Sequence, residues 1–377
     1  MGKYTLKINR ERMAEARQRM TDFYMHRKSD RAPFCYYSGD GGDCPAYTNR
    51  QIIEDPDKKI QQTIARINAQ TEAYTDTDFL PFLTLDHLGE GLVPSLFGAT
   101  QYIVDGNPPY TEGRVMKDIF DLDKIPERID PDKDGWGPLM KDLVTKFLDA
   151  TNGEIPIGVS DHQSPYGCAT KIIQNEELMY AMYDEPELVH KFFDRITTGI
   201  EDTIEALQRW LGKDHVVLNY NAPVPNGDCG LILWDDYISV VSPQLHTEFC
   251  KPYNDRLYAK FGVGHLHTCG PYFPGYIDAA LVCKPRSLDF AIMRGFNRSK
   301  DDMLEFRRIT REHGIILTGN PASCENHIFA GPWAPIDDDY LREMANGGMI
   351  YSSWGAPEQG DEATKKWIAI CDEVGNK

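Results

Sequence analysis

The chain has 377 residues, 41% of them hydrophobic, 11% aromatic and 26% charged, which supports a large folded core and excludes an intrinsically disordered chain. With 40 Lys and Arg against 58 Asp and Glu, the net charge of −18 repels phosphate backbones and anionic lipid surfaces, so nucleic acid and membrane are not expected partners. No apolar run reaches the roughly 18 to 20 residues that span a bilayer.

The opening Met1-Gly2-Lys3-Tyr4 lacks a signal-peptide pattern, so a cytoplasmic location is expected. The 9 Cys are scattered and odd in number, in a chain large enough to fold without covalent staples, and are read as reduced thiols. From Asn9 to Lys28 the apolar spacing through Met13, Ala16, Met20, Phe23 and Tyr24 predicts a helical extension ahead of the main fold. Short runs with strand character then recur at 34–37, 79–84, 155–161, 216–219, 263–268, 287–290, 315–319 and 349–352.

Helical patterns separate these runs. After Asp184, Pro186 opens a stretch whose Leu188, Val189, Phe192, Phe193, Ile196, Ile200, Ile204 and Leu207 share one face. Ser242-Pro243 opens another, continuing to Lys260, and 301–313 and 337–346 read as two more. Strands alternating with helices predict an α/β fold, a (β/α)8 TIM barrel, in one domain over 1–377 with an N-terminal helical extension (1–30) and an insertion at 105–136. A doubly wound sheet is the alternative, but Ser38-Gly39-Asp40-Gly41-Gly42-Asp43 lacks the G-x-G-x-x-G spacing, and its carboxylates oppose a pyrophosphate.

In the run Gly264-His265-Leu266-His267-Thr268-Cys269-Gly270, side chains at alternate positions face the same way, which would turn His265, His267 and Cys269 toward the barrel mouth as a set of borderline-soft ligands suited to zinc. Further ligand candidates at strand ends are Cys324, Asp289 and Asp161, whereas Cys283 reads as core. Asp235 and Asp236, beside Trp234, are candidate catalytic carboxylates; a solvated loop pair or helix cap is the structural alternative. Asp161 joins them as a third candidate acid. Tyr36, His87, His162, Asn219, Tyr220, Trp234 and Trp354 are candidate substrate-binding residues, because aromatics with a few polar anchors suit a small aromatic ligand.

The motifs Asp235-Asp236, Ser242-Pro243, Phe249, Pro252-Tyr253 and His267-Thr268-Cys269-Gly270 resemble the uroporphyrinogen decarboxylase superfamily. So do Asp161-His162-Gln163-Ser164-Pro165, the stretch from Met182 to His190, Phe97-Gly98-Ala99 and Thr318-Gly319-Asn320-Pro321. The corrinoid-dependent methyltransferase branch is the more similar one: where the decarboxylase carries an arginine-rich substrate-gripping stretch, this chain reads Cys35-Tyr36-Tyr37-Ser38-Gly39-Asp40-Gly41. The resemblance implies a barrel enzyme that moves a methyl group from a small methylated substrate, a methoxylated aromatic as the leading class, to the cobalt(I) of a separate corrinoid protein. It also implies zinc on His267 and Cys269, while the family's third ligand, a Cys after the last strand, is replaced by Tyr351-Ser352-Ser353-Trp354-Gly355; either another residue, Cys324 favoured over Asp289, completes the site, or the metal is lost or altered. Methylation of a thiol from methylcorrinoid, a decarboxylase-type activity and a non-catalytic binding barrel are the competing readings, and a homodimer is the oligomer considered.

Overall fold

The computed structural model describes residues 4–37, 44–73, 77–268, 276–289, 300–319, 338–354 and 357–375. Parallel strands at Phe34–Tyr37, Met349–Trp354, Ile316–Gly319, Ser287–Asp289, Val263–His267 and Leu231–Trp234 form one sheet in that spatial order. A second parallel pair joins Ile157–Gly158 to Val216–Val217. Three contacts carry the ring around: Asp78 N donates to Phe34 O at 2.6 Å, Leu83 bridges Ile157 in parallel, and Ile232 N donates to Leu218 O at 2.8 Å. With helices on its outer face this is the predicted α/β barrel.

One strand was not anticipated. Leu231–Trp234 follows Val216–Val217 with no helix between them, because the chain doubles back so that Val217 bridges Pro225 antiparallel, then turns upward through Asn226 and Gly227, both at positive φ. Asp235 and Asp236 therefore follow a barrel strand directly.

The predicted helices form. The stretch after Asp184 is Pro186–Leu211, and Val189, Phe192, Phe193, Ile196, Ile200, Ile204 and Leu207 on its inner face are all buried. Each such side chain contributes roughly 1.5–3 kcal/mol on leaving water. Gly199 interrupts this face because a Cβ there would collide with the Phe97 ring, so a glycine lets the Phe97 loop pack on the helix. Ser242 caps its helix by accepting from Leu245 N at 3.3 Å. Within the 105–136 stretch, Asp132 receives Lys141 Nζ and Trp210 Nε1, tying it to the helices Gly137–Ala150 and Pro186–Leu211.

The N-terminal extension is the helix Arg10–Thr21 followed by a π-helical turn, Asp22–His26. Its anchor is Asp78, fully buried, whose carboxylate takes Arg19, Arg31 and the Phe34 N–H. Three donors offset the desolvation of one enclosed carboxylate. Tyr24 reaches deeper: its hydroxyl lies 2.8 Å from Ser287 Oγ and 3.0 Å from Asn219 Nδ2. Among the described residues no helix is long and apolar enough to cross a membrane.

Candidate active site at the barrel mouth

Barrel strands end where Asp161, Tyr220, Trp234 and His267 stand, and the site is built from these ends. After Ile157–Gly158 the chain turns sharply: Gln163 takes a left-handed φ of 55°, and Ser164 caps the short helix Pro165–Ala169. A non-glycine residue in that region costs of order 1 kcal/mol or more and persists only where its surroundings hold it. What the turn achieves is visible in its hydrogen bonds, since Gln163 donates to Asp161 Oδ1 from its backbone N at 3.3 Å and from Nε2 at 3.1 Å.

Burial pushes the Asp161 carboxyl up to about 6, with the charges of Glu90 and Asp236 adding to the rise and Gln163 and His267 opposing it. Asp161, Asp236 and His267 thus share one electrostatic neighbourhood. A cavity of about 510 Å³ opens here, lined by Asp86, Glu90, Asp161, Lys171, Tyr220 and Trp234, with the hairpin at Pro108 to Thr111 closing one side. Tyr220 and Trp234 meet edge to face, with centroids 5.6 Å apart and planes at 85°. Tyr220 donates its hydroxyl to Val159 O, and Lys171 pairs with Glu90 at 2.6 Å.

The adjoining space is also differentiated. A cavity of about 370 Å³ shares Asp86 and Tyr220 with the first and is lined by Phe79, Phe82, Lys59 and Arg66. Lys59 Nζ lies 2.9 Å from Asp86 Oδ1. His87, buried, lines a third cavity of about 520 Å³ beyond Asp86 rather than the mouth itself.

Several expected site residues hold other positions. Asp235 is fully enclosed: Asn254 Nδ2 at 2.7 Å, His246 Nε2 at 2.9 Å and Ser164 Oγ at 3.1 Å surround its carboxylate, and its N–H donates to His267 O. Such a carboxylate positions the two strand ends it joins and does not meet a ligand, which corrects the sequence expectation. Asn219 is likewise buried, bonded to Tyr24 and Cys229 O below the mouth, so it does not contact a substrate there. His162 donates toward Gln163 O at 2.8 Å and sets its ring edge-on to Trp234, at 5.0 Å and 82°, supporting that wall from behind.

Burial pushes His162 down to about 4. A histidine with a depressed folded-state pKa contributes stability present above its ordinary 6.5 and lost as pH falls toward 4. His162→Phe, which keeps the edge-on ring, is therefore expected to remove up to about 3 kcal/mol of acid sensitivity between those limits, read by urea unfolding at stepped pH; an unaltered slope would exclude His162 as its source.

The metal expectation meets the described residues at Asp161, His265 and His267; His265 is fully buried with Nδ1 2.8 Å from Ser287 Oγ, so it does not face the mouth as expected. His267 ends its strand half-buried, with Trp234 as its register partner. Cys269 and Cys324 lie outside the described residues, as do the side chains of Tyr36, Trp354 and Asp289 and the stretch 38–43. Among the described residues no three His, Cys, Asp or Glu gather as a metal cage. Cys168, Cys229, Cys250 and Cys283 are buried, and that burial pushes their thiols up, away from the thiolate a metal needs.

Glu90, Lys171, Gln163, His246 and Asn254 were not singled out from the sequence as individual site residues. Only Gln163 carried a local signal, its place beside Asp161; the others act through contacts distant in sequence.

Comparison with known proteins agrees with this architecture. Residues 89–210 match the uroporphyrinogen decarboxylase (URO-D) family profile. Two relatives named uroporphyrinogen decarboxylase, from Shewanella piezotolerans and Pseudoalteromonas translucida, are 26% identical over 173 residues and 25% identical over 172. In both cases the match spans 44% of this chain and 42% of the relative, less than half of each. A methyltransferase from Methanosarcina mazei superposes with a TM-score of 0.61 at 15% identity, covering 95% of this chain and 98% of that one, a likeness of fold. The resemblance to the uroporphyrinogen decarboxylase superfamily is thus borne out.

Proposed function

We propose that this barrel, with its URO-D family segment at 89–210, is a methyltransferase that takes a methyl group from a small methylated substrate and passes it to the cobalt(I) of a corrinoid carried by a separate protein. The mouth cavity carries the reading: a carboxyl able to hold a proton near neutral pH, Asp161, faces the same space as the orthogonal rings of Tyr220 and Trp234. A methoxylated aromatic suits this arrangement, since offset and edge-to-face ring contacts position it while a proton is at hand for its oxygen.

Breaking the methyl–oxygen bond leaves the electron pair on oxygen, and an aryloxide departs faster when protonated as it forms. Asp161 supplies that proton and Gln163 holds the carboxyl in place through Oδ1. His162 and Tyr220 fix the Trp234 wall, and the Glu90–Lys171 pair balances charge at the rim. By their chemistry His267, Cys269 and Cys324 are the imidazole and thiol groups proposed to hold zinc, which would supply Lewis acidity toward the substrate oxygen when bound.

The decarboxylase reading has support in the names of the matched relatives. Against it, Asp86, Glu90 and Asp161 line the mouth with Lys171 as the one cation among its lining residues, and carboxylates repel a polycarboxylate substrate.

The test is incubation of the purified chain with a reduced corrinoid protein and a panel of methoxyarenes, followed by cobalt absorbance. Substrate-dependent methylation is expected. Methylation of a thiol from methylcorrinoid, with no transfer from any methoxyarene, would overturn the proposal.

A further inference from the structure

The geometry points to an oxyanion site at the closed end of the barrel, where Arg27, Arg286 and Arg307 would grip a phosphate-type dianion. It is independent of the proposed methyl transfer. Arg27 ends the N-terminal extension, Arg286 precedes the strand Ser287–Asp289, and Arg307 lies on the helix Lys300–Glu312, so three separate parts of the chain contribute, with Arg27 in the electrostatic field of Arg286 on one side and acting on Arg307 on the other.

Arg27 and Arg307 flank one turn, Gly347-Gly348. A side chain at Gly348 would collide with Arg27 Nη1, and one at Gly347 with Arg307 Nη2. Both glycines have positive φ, 106° and 94°, so the turn brings backbone up against the two guanidinium groups with no Cβ in the way. Arg286 sits over the Tyr24 ring, 6.0 Å from its centroid, three residues before Arg27.

These charges are not neutralised locally. Among the described residues no carboxylate forms an ion pair with Arg27, Arg286 or Arg307; Glu343 is taken by Arg311, and Asp228 is an exposed carboxylate near Cys229. Arg307 is fully buried, donates from Nε and Nη2 to Asn346 O at 3.0 and 2.8 Å, and has no partner for Nη1; Arg286 Nε is buried and unpartnered too. Buried donors left unmade are costly, and a buried charge without a counter-ion more so. Mutual repulsion adds to burial, pushing Arg307 down to about 9 and Arg27 down to about 10.

An anion relieves all of this at once. Arg27 and Arg286 are half-buried, and Gly314 and Gly347 beside them are exposed, so the cluster has an open rim above an enclosed floor. Guanidinium forks match the tetrahedral oxygens of phosphate, and the bonds are charge-assisted. Because Arg27 belongs to the N-terminal extension, occupancy would also clamp that extension to the barrel.

The experiment is calorimetric titration of the full chain with inorganic phosphate at constant ionic strength set by chloride, beside Arg27→Gln and Arg286→Gln variants. Saturable binding is expected, weakened at least about tenfold in each variant, with phosphate protecting the N-terminal helix from limited proteolysis in wild type. A phosphate monoester in a parallel arm separates the two sources: tighter binding than inorganic phosphate assigns the site to a phosphorylated small molecule, weaker binding to the free ion. Absence of saturable phosphate binding above chloride, or affinity unaltered in Arg286→Gln, overturns the proposal.

Discussion

Asp161→Asn is expected to lower kcat for methoxyarene demethylation by about 10²–10⁴-fold, the range for losing a positioned general acid, with KM little changed because the amide keeps the shape. Wild-type turnover is expected to fall as pH rises through about 6, where Asp161 gives up its proton, and the variant's residual rate to lose that limb. Stability provides a second readout whose sign is opposite to that of an ordinary carboxylate. The folded state holds this proton more tightly than the unfolded chain, so the associated stability is present below the ordinary 3.8 and lost as pH rises through about 6. At pH 7 the variant should therefore be the more stable protein, by up to about 3 kcal/mol in urea unfolding. Unchanged kcat across pH 5 to 8 would remove Asp161 from the chemistry.

Asp235→Ala is expected to have the largest effect on stability, roughly 3–5 kcal/mol. The carboxylate it removes is the shared acceptor of His246, Asn254 and Ser164, all buried, and its loss strands donors that water cannot reach. Asp235→Asn should cost less, since its remaining carbonyl oxygen still accepts. The check is the urea midpoint of both variants, with kcat and KM measured well below it. A folded Asp235→Ala protein of wild-type midpoint that had lost only kcat would show that this carboxylate meets the substrate after all.

The two aspartates mark how far the sequence could be read. Helices were legible because their apolar faces repeat locally: the Pro186–Leu211 face was recovered at every named position but Leu188, which is half-buried, and Ser242 caps where its side chain announced it. The barrel followed from strand and helix alternation. Leu231–Trp234 escaped because it breaks that alternation, entering the sheet after a turn of loop where a helix was expected.

At the site, Asp161 was legible from its strand-end position. Glu90 and Lys171 were not, since nothing near them in sequence records the cavity they share with it. The arginine cluster was equally hidden in a chain of net charge −18, because net charge is a sum and the repulsion of Arg27 with Arg286 and with Arg307 depends on where three distant arginines fall.

By itself, then, the sequence determined the periodic features: the barrel class, the buried faces of its helices, and the strand ends on which a site would stand. Asp161 and Asp235 are the same residue type following strands of the same barrel, and no local pattern distinguishes them. Only the tertiary structure decided between their roles, by placing three donors around Asp235 and two further carboxylates in the electrostatic field of Asp161. Periodicity is set by neighbours along the chain, whereas protonation and enclosure are set by neighbours in space.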